Sequence, residues 1–555
     1  MTQSHHYSIP RIVVSGLRGG SGKTILSLCL ITNLRKKGLK VIPFKKGPDY
    51  IDAGWLAKAA GTPCYNLDLF MMTPEQALQS FVEHTLTPSP SSPPVKGGEN
   101  TPLNPLLIEG KVPSPLAGEG QGEGGFPEQI AVIEGNRGLY DGVDHKGTYS
   151  TAELAKLLKA PVIIIVDCTK ATNTIAAMIL GCQKMDSGVL IGGVVLNQVA
   201  TARQEGVIRK AVEGKCKAPV VGAIPRLRKD PFPERHMGLT PFQERLDVEG
   251  SLAAAAEIGE KYLDIEAVLK IANGVEPLGI GKEPIPDPRS PITVFTNPQP
   301  PTPNPFVKIG IVRDSAFQFY YQENFEELEK RGAQLIEVSP LRETSIPDID
   351  ALYIGGGFPE THAIALAENV SFRNSLYNAI QNGLPVYAEC GGLMYLGNSL
   401  ILEGKPYPMV GALPITFDLE KKPQAHGYTI VEVESTNPFY PLKTVLKGHE
   451  FHYSRVLTPP SSPLVKGGNT PLTLSPLERG AGVCNRGELN EGDAGGFSGQ
   501  IYFAFNMKRG KGIIGGKDGM CYKNVLATYT HLHAIGSPEW ADGLVNCARK
   551  FKDSK

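Results

Sequence analysis

The sequence has 555 residues, more than one hydrophobic core usually organises, so we expect two or three domains. Its 56 basic and 56 acidic side chains balance, which gives no support for binding to nucleic acid or to an anionic membrane surface. The nine cysteines show no paired spacing that would indicate a disulfide framework or a zinc site, and no run approaches the ~20 apolar residues of a membrane span, so a cytoplasmic location is expected.

The first predicted elements are an apolar strand, a glycine-rich loop and a helix. They cover Ile12–Ser15, Gly16–Thr24 and Ile25–Leu34. Backbone N–H groups of such a loop bind phosphate oxygens at a helix N-terminus. The loop is one residue longer than G-x-x-x-x-G-K-[ST], because Leu17 stands where the first glycine of that pattern belongs. The candidate ATP-binding residues of the loop are Gly16, Gly20, Gly22, Lys23 and Thr24.

Apolar runs alternate with helical stretches through the first half of the chain. This order predicts a mostly parallel sheet wrapped by helices, with ligands at the carboxyl ends of the strands. The further strands are predicted at Val41–Phe44, Ile130–Ile133, Val162–Val166, Gly193–Leu196 and Val220–Ala223.

Acidic residues follow two of these strands. Asp49 and Asp52 lie shortly after the second strand, where they and two lysines could hold Mg²⁺, ATP and an anionic substrate. Glu134 leaves the tip of the third strand, which suits a metal ligand. The candidate metal ligands are therefore Thr24, Asp49 and Glu134.

Two later segments carry weaker signals. Asn197 ends a predicted strand and could hydrogen-bond an adenine edge, although an asparagine there is more often a simple cap. Arg235 and His236 follow another strand and could meet substrate carboxylates, although residue type alone favours an ordinary loop.

Three stretches rich in proline, glycine or serine divide the chain. A motif beginning Pro-Ser-Ser-Pro is nearly repeated in two of them, at about 87–127 and about 458–499, and we interpret both as disordered insertions in surface loops. The third, residues 281–305, is dense in proline and predicts a semi-rigid linker. The expected domains are therefore residues 1–280 and residues 306–555.

After the linker the alternation of strands and helices begins again and brings a candidate thiol site. Cys390 follows a strand predicted over Pro385–Ala388, at a tight glycine turn of the kind that exposes a nucleophile. His531, near the C-terminus, is the candidate base, and His533 is a weaker one. The candidate oxyanion donors are the backbone N–H groups of Gly356, Gly357 and Gly391.

Taken together, these motifs resemble the cobyrinate a,c-diamide synthase family. The resemblance covers nearly the whole chain apart from the insertions, the linker and the termini. The segments that carry it are Gly16–Thr24, Lys46–Asp52, Gly138–Gly142, Glu234–Leu239, Ala316–Tyr321, Gly355–Glu360, Glu389–Leu393, Gly448–Ser454 and Tyr529–His533.

The resemblance implies an α/β fold in each half. The first would be a P-loop, dethiobiotin-synthetase-like, doubly wound parallel sheet, and the second a class I glutamine amidotransferase domain. It also implies amidation of the a and c carboxylates of cobyrinate, with ammonia from glutamine and an acyl phosphate made with ATP and Mg²⁺. Its partners would be the corrinoid, glutamine and ATP, without nucleic acid or membrane, and a homodimer is left open. The residues near the substrate would be Asp49, Tyr50, Asp52, Asp141, Arg235 and His236.

One departure and several alternatives stay open. Class I amidotransferases commonly carry an acid two residues after the histidine, where this chain has His533, so the sequence predicts a Cys–His dyad. Hydrogenobyrinate and nickel-sirohydrochlorin are alternative substrates. A cobyric acid synthase is disfavoured by the runs Lys46–Asp52 and Glu234–Leu239. A partition-type ATPase would be expected to carry a basic face or an amphipathic tail, which the chain lacks.

Overall fold

The computed structural model describes residues 5–86, 129–227, 232, 234–235, 238–244, 247–280, 307–457 and 501–555. The described chain forms two compact units: Met1–Leu69 with Pro74–Val294, and Phe70–Thr73 with Phe295–Lys555. The predicted insertions and linker lie outside the described residues, so they and the exact domain limits stay predictions. Within the described part of the chain, no helix is both long enough and apolar enough to cross a membrane.

The first unit is built on a seven-stranded sheet with helices around it. Four further strands form two small two-stranded sheets, β1 with β11 and β9 with β10. The strands of the whole unit are β1 (His5–Tyr7), β2 (Arg11–Gly16), β3 (Lys40–Lys46), β4 (Tyr65–Leu67), β5 (Gln129–Gly138), β6 (Val162–Asp167), β7 (Ile191–Val199), β8 (Val220–Pro225), β9 (Glu234–Arg235), β10 (Gly238–Leu239) and β11 (Leu278–Ile280). Its helices are α1 (Lys23–Lys36), α2 (Ile51–Ala60), α3 (Pro74–Leu86), α4 (Thr151–Leu157), α5 (Asn173–Met185), α6 (Ala202–Cys216), α7 (Val248–Tyr262) and α8 (Ile265–Asn273).

All seven strands of the main sheet are parallel, in the order β4-β3-β5-β2-β6-β7-β8. Strands such as Val162–Asp167 are almost continuously apolar, because helices cover both faces of the sheet. The chain runs outward from β2 to β4 and then returns to place β5 between β3 and β2. The carboxyl ends of β2, β3 and β5 are therefore neighbours, as at the ligand crevice of open α/β sheets. The predicted parallel sheet is confirmed.

The second unit contains a ten-stranded mixed sheet. The strands of the whole unit, including those of two smaller sheets, are β12 (Val307–Val312), β13 (Phe317–Phe319), β14 (Ala333–Val338), β15 (Ala351–Ile354), β16 (Gly356–Gly357), β17 (Val386–Glu389), β18 (Ser399–Leu402), β19 (Lys405–Pro408), β20 (Thr416–Leu419), β21 (Ala425–Val433), β22 (Val445–His452), β23 (Ser454–Leu457), β24 (Tyr502–Arg509), β25 (Lys517–Tyr522), β26 (Val525–Thr528) and β27 (His531–Leu532). Its helices are α9 (Gln322–Lys330), α10 (Ala363–Glu368), α11 (Val370–Gln381), α12 (Gly391–Leu396) and α13 (Pro538–Ser554).

The large sheet has the order β14-β12-β15-β17-β26-β25-β24-β21-β22-β27. The strands from β14 to β26 pair in parallel, and those from β26 to β27 pair antiparallel. The α/β class of this unit is confirmed, although the antiparallel extension was not predicted. β17 lies inside the parallel part, so Cys390 follows a buried strand.

A buried arginine ties the start of the first sheet to its surroundings. The Arg11 side chain is 0% exposed and donates to the carbonyl oxygens of Leu158 (2.6 Å), Ile9 (2.8 Å) and Glu276 (2.6 Å). Burial lowers the pKa of Arg11 to about 10, and the nearby Glu276 partly offsets this. The guanidinium thus satisfies backbone groups from three segments at once.

Replacing Arg11 with methionine should destabilise the first unit by about 3 kcal/mol, because several buried carbonyl groups lose their donor. Arg11→Lys should recover little of this, since one ammonium cannot reproduce the planar fork of donors. The chain has two tryptophans, one in each unit, Trp55 and Trp540. Urea unfolding followed by Trp55 fluorescence in a Trp540→Phe background therefore reports on the first unit. An unchanged midpoint in Arg11→Met would contradict this role.

Candidate active sites

The glycine loop forms the turn between β2 and α1. Gly20 and Gly22 adopt left-handed conformations, with φ of 70° and 95°. A Cβ atom on Gly22 would lie 2.6 Å from Asn197 Nδ2, so the backbone needs glycine there. No side chain caps the N-terminus of α1, and its first turn carries no acid. The loop is therefore suited to bind an anion such as a phosphate group.

Asn197 supports the loop from the end of β7. Its Nδ2 donates to Ser21 O at 3.0 Å, and its Oδ1 accepts from Gln198 N at 2.9 Å. One amide hydrogen and one lone pair remain for a ligand, so the predicted adenine contact stays a prediction. Beside Asn197 and Gly22 lies a small cavity with a mixed lining of polar and apolar residues. The apolar residues of this lining are Ile25, Ile165, Ile224 and Leu227.

A buried charge cluster lies at the carboxyl ends of β3 and β5. Lys45 and Glu134 are register partners in the sheet, and Lys45 Nζ lies 2.5 Å from Glu134 Oε1 and 2.6 Å from Asp52 Oδ2. The Thr24 hydroxyl donates to Glu134 Oε1 at 3.0 Å. The structure thus brings the predicted residues Thr24, Asp52 and Glu134 together. Lys45, one of the two lysines expected to bind Mg²⁺, ATP and an anionic substrate, instead pairs with Glu134 and Asp52.

The cluster is short of positive charge. Burial would lower the pKa of Lys45, but Asp52 and Glu134 raise it well above the usual value. Burial raises the pKa of Glu134, and burial together with Asp52 raises that of Asp49. The pKa of Asp52 is lowered despite burial, because Lys45 lies beside it. An added cation would relieve the repulsion among these three carboxylates.

The same residues fit a magnesium ion. No good hydrogen bond reaches the buried Glu134 Oε2 from the described residues, although the Ser27 hydroxyl approaches closely enough to lower the pKa of Glu134. Among the described residues no group of three or more His, Cys, Asp or Glu side chains is arranged for a metal. Mg²⁺ bound with a nucleotide needs fewer protein ligands, because phosphate oxygens and water complete its shell. Thr24 and Glu134 supply the hard oxygen atoms that such an ion prefers.

The structure describes the remaining predicted substrate residues to different extents. Asp49 and Tyr50 directly precede α2, and Asp49 Oδ1 accepts a hydrogen bond from Asp52 N at 2.9 Å. Asp141 Oδ2 accepts from Gly138 N at 2.8 Å and lies near enough to Lys23 to raise its pKa, although burial and Lys45 lower that pKa overall. For Arg235 only the backbone, in β9, is described. His236 lies outside the described residues.

The candidate thiol site places Cys390, the three predicted donor glycines and His531 in one region, whereas His533 lies elsewhere. Cys390 has φ 46° and ψ −96°, a strained backbone of the kind found where a strand turns sharply into a helix. A Cβ atom on Gly391 would lie 3.0 Å from Gly357 N, so these two predicted donors are adjacent. A Cβ atom on Gly356 would lie 2.5 Å from His531 Cε1, so the histidine ring lies against the same glycines.

The thiol needs a base. Burial, followed by the nearby Glu360, raises the pKa of Cys390 far above its usual value, so the resting group is a neutral thiol. His531, 2% exposed, has its Nδ1 atom 3.4 Å from Glu389 Oε2. Glu389 directly precedes Cys390 and was not predicted as a site residue. The available signal was an acid at the end of an otherwise apolar strand.

His533, the weaker candidate base, contacts Glu323 and Tyr321 instead of the residues of the thiol site. Its Nε2 is 3.5 Å from Glu323 Oε1, and its ring centroid is 4.7 Å from that of Tyr321. Both His533 and Glu323 are fully buried. This position, where class I amidotransferases commonly carry an acid, therefore belongs to a separate buried pair.

Two further histidines surround the site. The His449 ring stacks on His531, with centroids 4.8 Å apart and an angle of 18°. The His452 ring stacks on Tyr529, with centroids 3.6 Å apart and an angle of 6°. Burial lowers the pKa of His449 well below its usual value and that of His452 to about 4. Both rings are therefore neutral near pH 7.

Comparison with known proteins identifies the class of both domains. Residues 12–239 match the family model of the CobQ/CobB/MinD/ParA nucleotide binding domain, and residues 308–479 match that of the CobB/CobQ-like glutamine amidotransferase domain. The chain thus joins a nucleotide-binding domain to a glutamine amidotransferase domain.

Similarity to curated proteins extends over almost the whole length. Cobyrinate a,c-diamide synthase of Magnetococcus marinus is 35% identical over 98% of this chain and 98% of its own length. That of Archaeoglobus fulgidus is also 35% identical over 98% of both chains, and that of Dehalococcoides mccartyi is 33% identical over 98% of this chain and 99% of its own. The chain belongs to the cobyrinate a,c-diamide synthase family, which confirms the resemblance found in the sequence.

The low pKa of His452 predicts acid sensitivity of the second unit. Its folded pKa of about 4 lies below the ordinary 6.5, so its contribution to stability is present above pH 6.5 and is lost as the pH falls towards 4. That loss amounts to about 3 kcal/mol. Urea unfolding followed by Trp540 fluorescence in a Trp55→Phe background should show a smaller loss between pH 8 and pH 4.5 in His452→Gln. An equal loss in both proteins would contradict the prediction.

Proposed function

We propose that the chain amidates the a and c carboxylates of cobyrinate in cobalamin biosynthesis, with ATP as the energy source and glutamine as the nitrogen donor. The observation that carries the proposal is the 35% identity to cobyrinate a,c-diamide synthases over 98% of both chains. The glycine loop with its charge cluster, and the thiol with its histidine and glycines, support the two half-reactions.

Glutamine hydrolysis is assigned to the second unit. The Cys390 thiol passes its proton to His531 Nε2, and the thiolate attacks the amide carbon of glutamine. The N–H groups of Gly357 and Gly391, with Gly356 beside them, hold the oxyanion. Protonated His531 gives its proton to the leaving nitrogen, so ammonia departs and a thioester remains. Water then attacks the thioester, giving its proton to His531 Nε2, and glutamate leaves as Cys390 recovers that proton.

Carboxylate activation is assigned to the first unit. A carboxylate oxygen of the corrinoid attacks the γ-phosphorus of ATP, ADP leaves, and an acyl phosphate forms. Ammonia then attacks the acyl carbon and phosphate departs, which leaves the amide. The glycine loop and Lys23 bind the phosphates, and Thr24 and Glu134 would hold Mg²⁺. Mg²⁺ bound there supplies positive charge that neutralises the phosphate oxygens.

The remaining roles in this unit are part of the same proposal. Asp52 and Lys45 fix Glu134 in place, while Asp49, with Tyr50 beside it, lies at the start of α2 near the activated carboxylate. Asp141, which interacts electrostatically with Lys23, is proposed to lie near the same carboxylate. Arg235 and His236 are proposed to meet the other carboxylates of the ring, and Asn197 to meet the adenine.

Mass spectrometry of cobyrinic acid incubated with the protein, Mg²⁺, ATP and glutamine should detect a diamide. Cys390→Ala should form the diamide with added ammonia but not with glutamine, because only the release of ammonia from glutamine requires the thiol. If neither nitrogen source gives an amide, the corrin assignment fails, and sirohydrochlorin and hydrogenobyrinate become the substrates to test. An amide pattern other than a and c would point to a cobyric acid synthase.

Glu134→Gln should slow ammonia-dependent amidation by at least about 100-fold and weaken the dependence on Mg²⁺, because the charged oxygen ligand is lost. The matched control is Glu260→Gln, which removes an exposed carboxylate paired with Lys36 at 3.1 Å and should change the rate less than about twofold. Initial rates across a Mg²⁺ titration measure both. Equal behaviour of the two variants would exclude Glu134 from the metal site.

A further inference from the structure

We propose that Glu389 is the positioning carboxylate of His531, in place of the acid that class I amidotransferases commonly carry two residues after the histidine. The inference deepens the proposed function and depends only on its glutamine-hydrolysing half. It replaces the dyad expected from the sequence with a Cys390–His531–Glu389 triad, in which the nucleophile and the acid are adjacent in the chain.

The contacts of Glu389 fix it beside His531. One oxygen, Oε2, lies 3.4 Å from His531 Nδ1 and accepts from the Tyr353 hydroxyl at 3.0 Å. The other, Oε1, accepts from Leu532 N at 3.2 Å, the residue that follows the histidine in β27. The carboxylate therefore lies beside the ring and holds the backbone that carries it. At 3.4 Å the Nδ1 and Oε2 atoms are within ion-pair distance without forming a hydrogen bond, and catalytic contacts of this kind often tighten when substrate binds.

The proposed role of Glu389 is to stabilise the positive charge that His531 acquires when it takes the thiol proton. Glu389 is 1% exposed, and a buried carboxylate is costly unless a cation or several donors lie beside it. When His531 Nε2 takes the thiol proton, the resulting imidazolium lies next to this anion and is stabilised by it. The transferred proton moves only among Cys390, His531, the leaving nitrogen and water, and Glu389 takes no part in the transfer.

The other charged or titratable groups around His531 do not compete for this role. His449 stacks on the ring from β22, but burial and His531 hold its pKa well below the usual value, so it is neutral. The His452 pKa of about 4 leaves that ring neutral as well. Glu360 lies on the side of Cys390, where it raises the thiol pKa. Glu323 contacts His533 instead.

Glu450, on β22, accepts hydrogen bonds from the backbone N–H groups of Lys511 and Gly512. Asp518, another acid near the thiol, holds the backbone that leads to His531. It accepts hydrogen bonds from the side chains of Thr528 and Thr530 and from the backbone N–H groups of Gly519 and Tyr529. These donors satisfy both of its oxygens. Asp518 therefore supports the shape of this segment, whereas Glu389 faces the ring.

The test compares Glu389→Gln with Glu323→Gln in the full chain. Both substitutions keep the size of a side chain that is 1% exposed, and both remove a carboxylate beside a histidine. Glutamate release from glutamine is measured between pH 5 and 9, together with the rate at which iodoacetamide alkylates Cys390. Neither readout requires a corrinoid, so failure of the corrin assignment would leave this test intact.

Glu389→Gln should lower kcat for glutamine hydrolysis by at least about 100-fold, with KM for glutamine within about threefold. The acid limb of kcat/KM should move about one unit to lower pH, because loss of the anion makes the imidazolium a stronger acid. Glu323→Gln should leave both the rate and the limb near those of the parent protein. A kcat within threefold of the parent in Glu389→Gln, or the same loss in both variants, would overturn the proposal.

The thermal unfolding midpoint of Glu389→Gln shows whether that variant folds. If it does not, Glu389→Asp, which keeps the charge, tests the proposal in its place. The shorter carboxylate should give an intermediate kcat and an acid limb close to that of the parent protein. Its Cys390 alkylation should rise with pH over the same range as in the parent. An acid limb displaced to lower pH despite the retained charge would show that Glu389 acts only through packing.

Discussion

The ion pair between Lys45 and Glu134 is the interaction on which the first site depends. A buried charge is costly in a low-dielectric interior unless an opposite charge lies beside it. Lys45 supplies that charge for two carboxylates, at 2.5 Å from Glu134 and 2.6 Å from Asp52. It thereby joins the tips of β3 and β5 to the start of α2, next to the glycine loop. The cluster still lacks positive charge, which is the condition for attracting a cation.

The same constraint operates in the second unit in a different form. Glu389 is buried beside the histidine that takes up the thiol proton in the proposed mechanism, and a hydroxyl and a backbone donor hold the carboxylate. The thiol is kept neutral by burial and by nearby acids. This arrangement favours an enzyme that ionises its nucleophile only when substrate completes the site, which limits wasteful side reactions of a free thiolate.

Much of this could be predicted because the signals are local. Apolar runs identified most of the parallel strands, although β4 and β26 were not predicted, and Gly16–Thr24 and Glu389–Leu393 marked the turns between β2 and α1 and between β17 and α12. Glycine positions were informative where the backbone requires them, as at Gly22, whose φ is 95°. Residues that follow strand ends in sequence were expected to converge, and Thr24 and Glu134 do meet although 110 positions separate them.

What was missed depends on long-range pairing. Nothing local indicates that Lys45 will bridge two acids, or that β27 will bring His531 and Leu532 to Glu389, which precedes Leu532 by 143 positions. The antiparallel strands β21, β22, β24 and β25 were missed because polar residues interrupt their apolar ones, so their apolar pattern is weaker than that of the parallel strands. The acid partner of His531 was expected two residues further on, at the position of His533. Sequence spacing alone does not show which buried pair a side chain joins.

Isotope transfer tests the central claim, that ATP activates a corrin carboxylate and glutamine supplies the nitrogen. Cobyrinate labelled with ¹⁸O in its carboxylates is incubated with the protein, Mg²⁺, ATP and glutamine labelled with ¹⁵N in the amide. The account predicts two ¹⁵N atoms in the product and one ¹⁸O atom in each inorganic phosphate released. A diamide that contains ¹⁵N while the phosphate is unlabelled would contradict activation through an acyl phosphate, and a product without ¹⁵N would contradict glutamine as the donor.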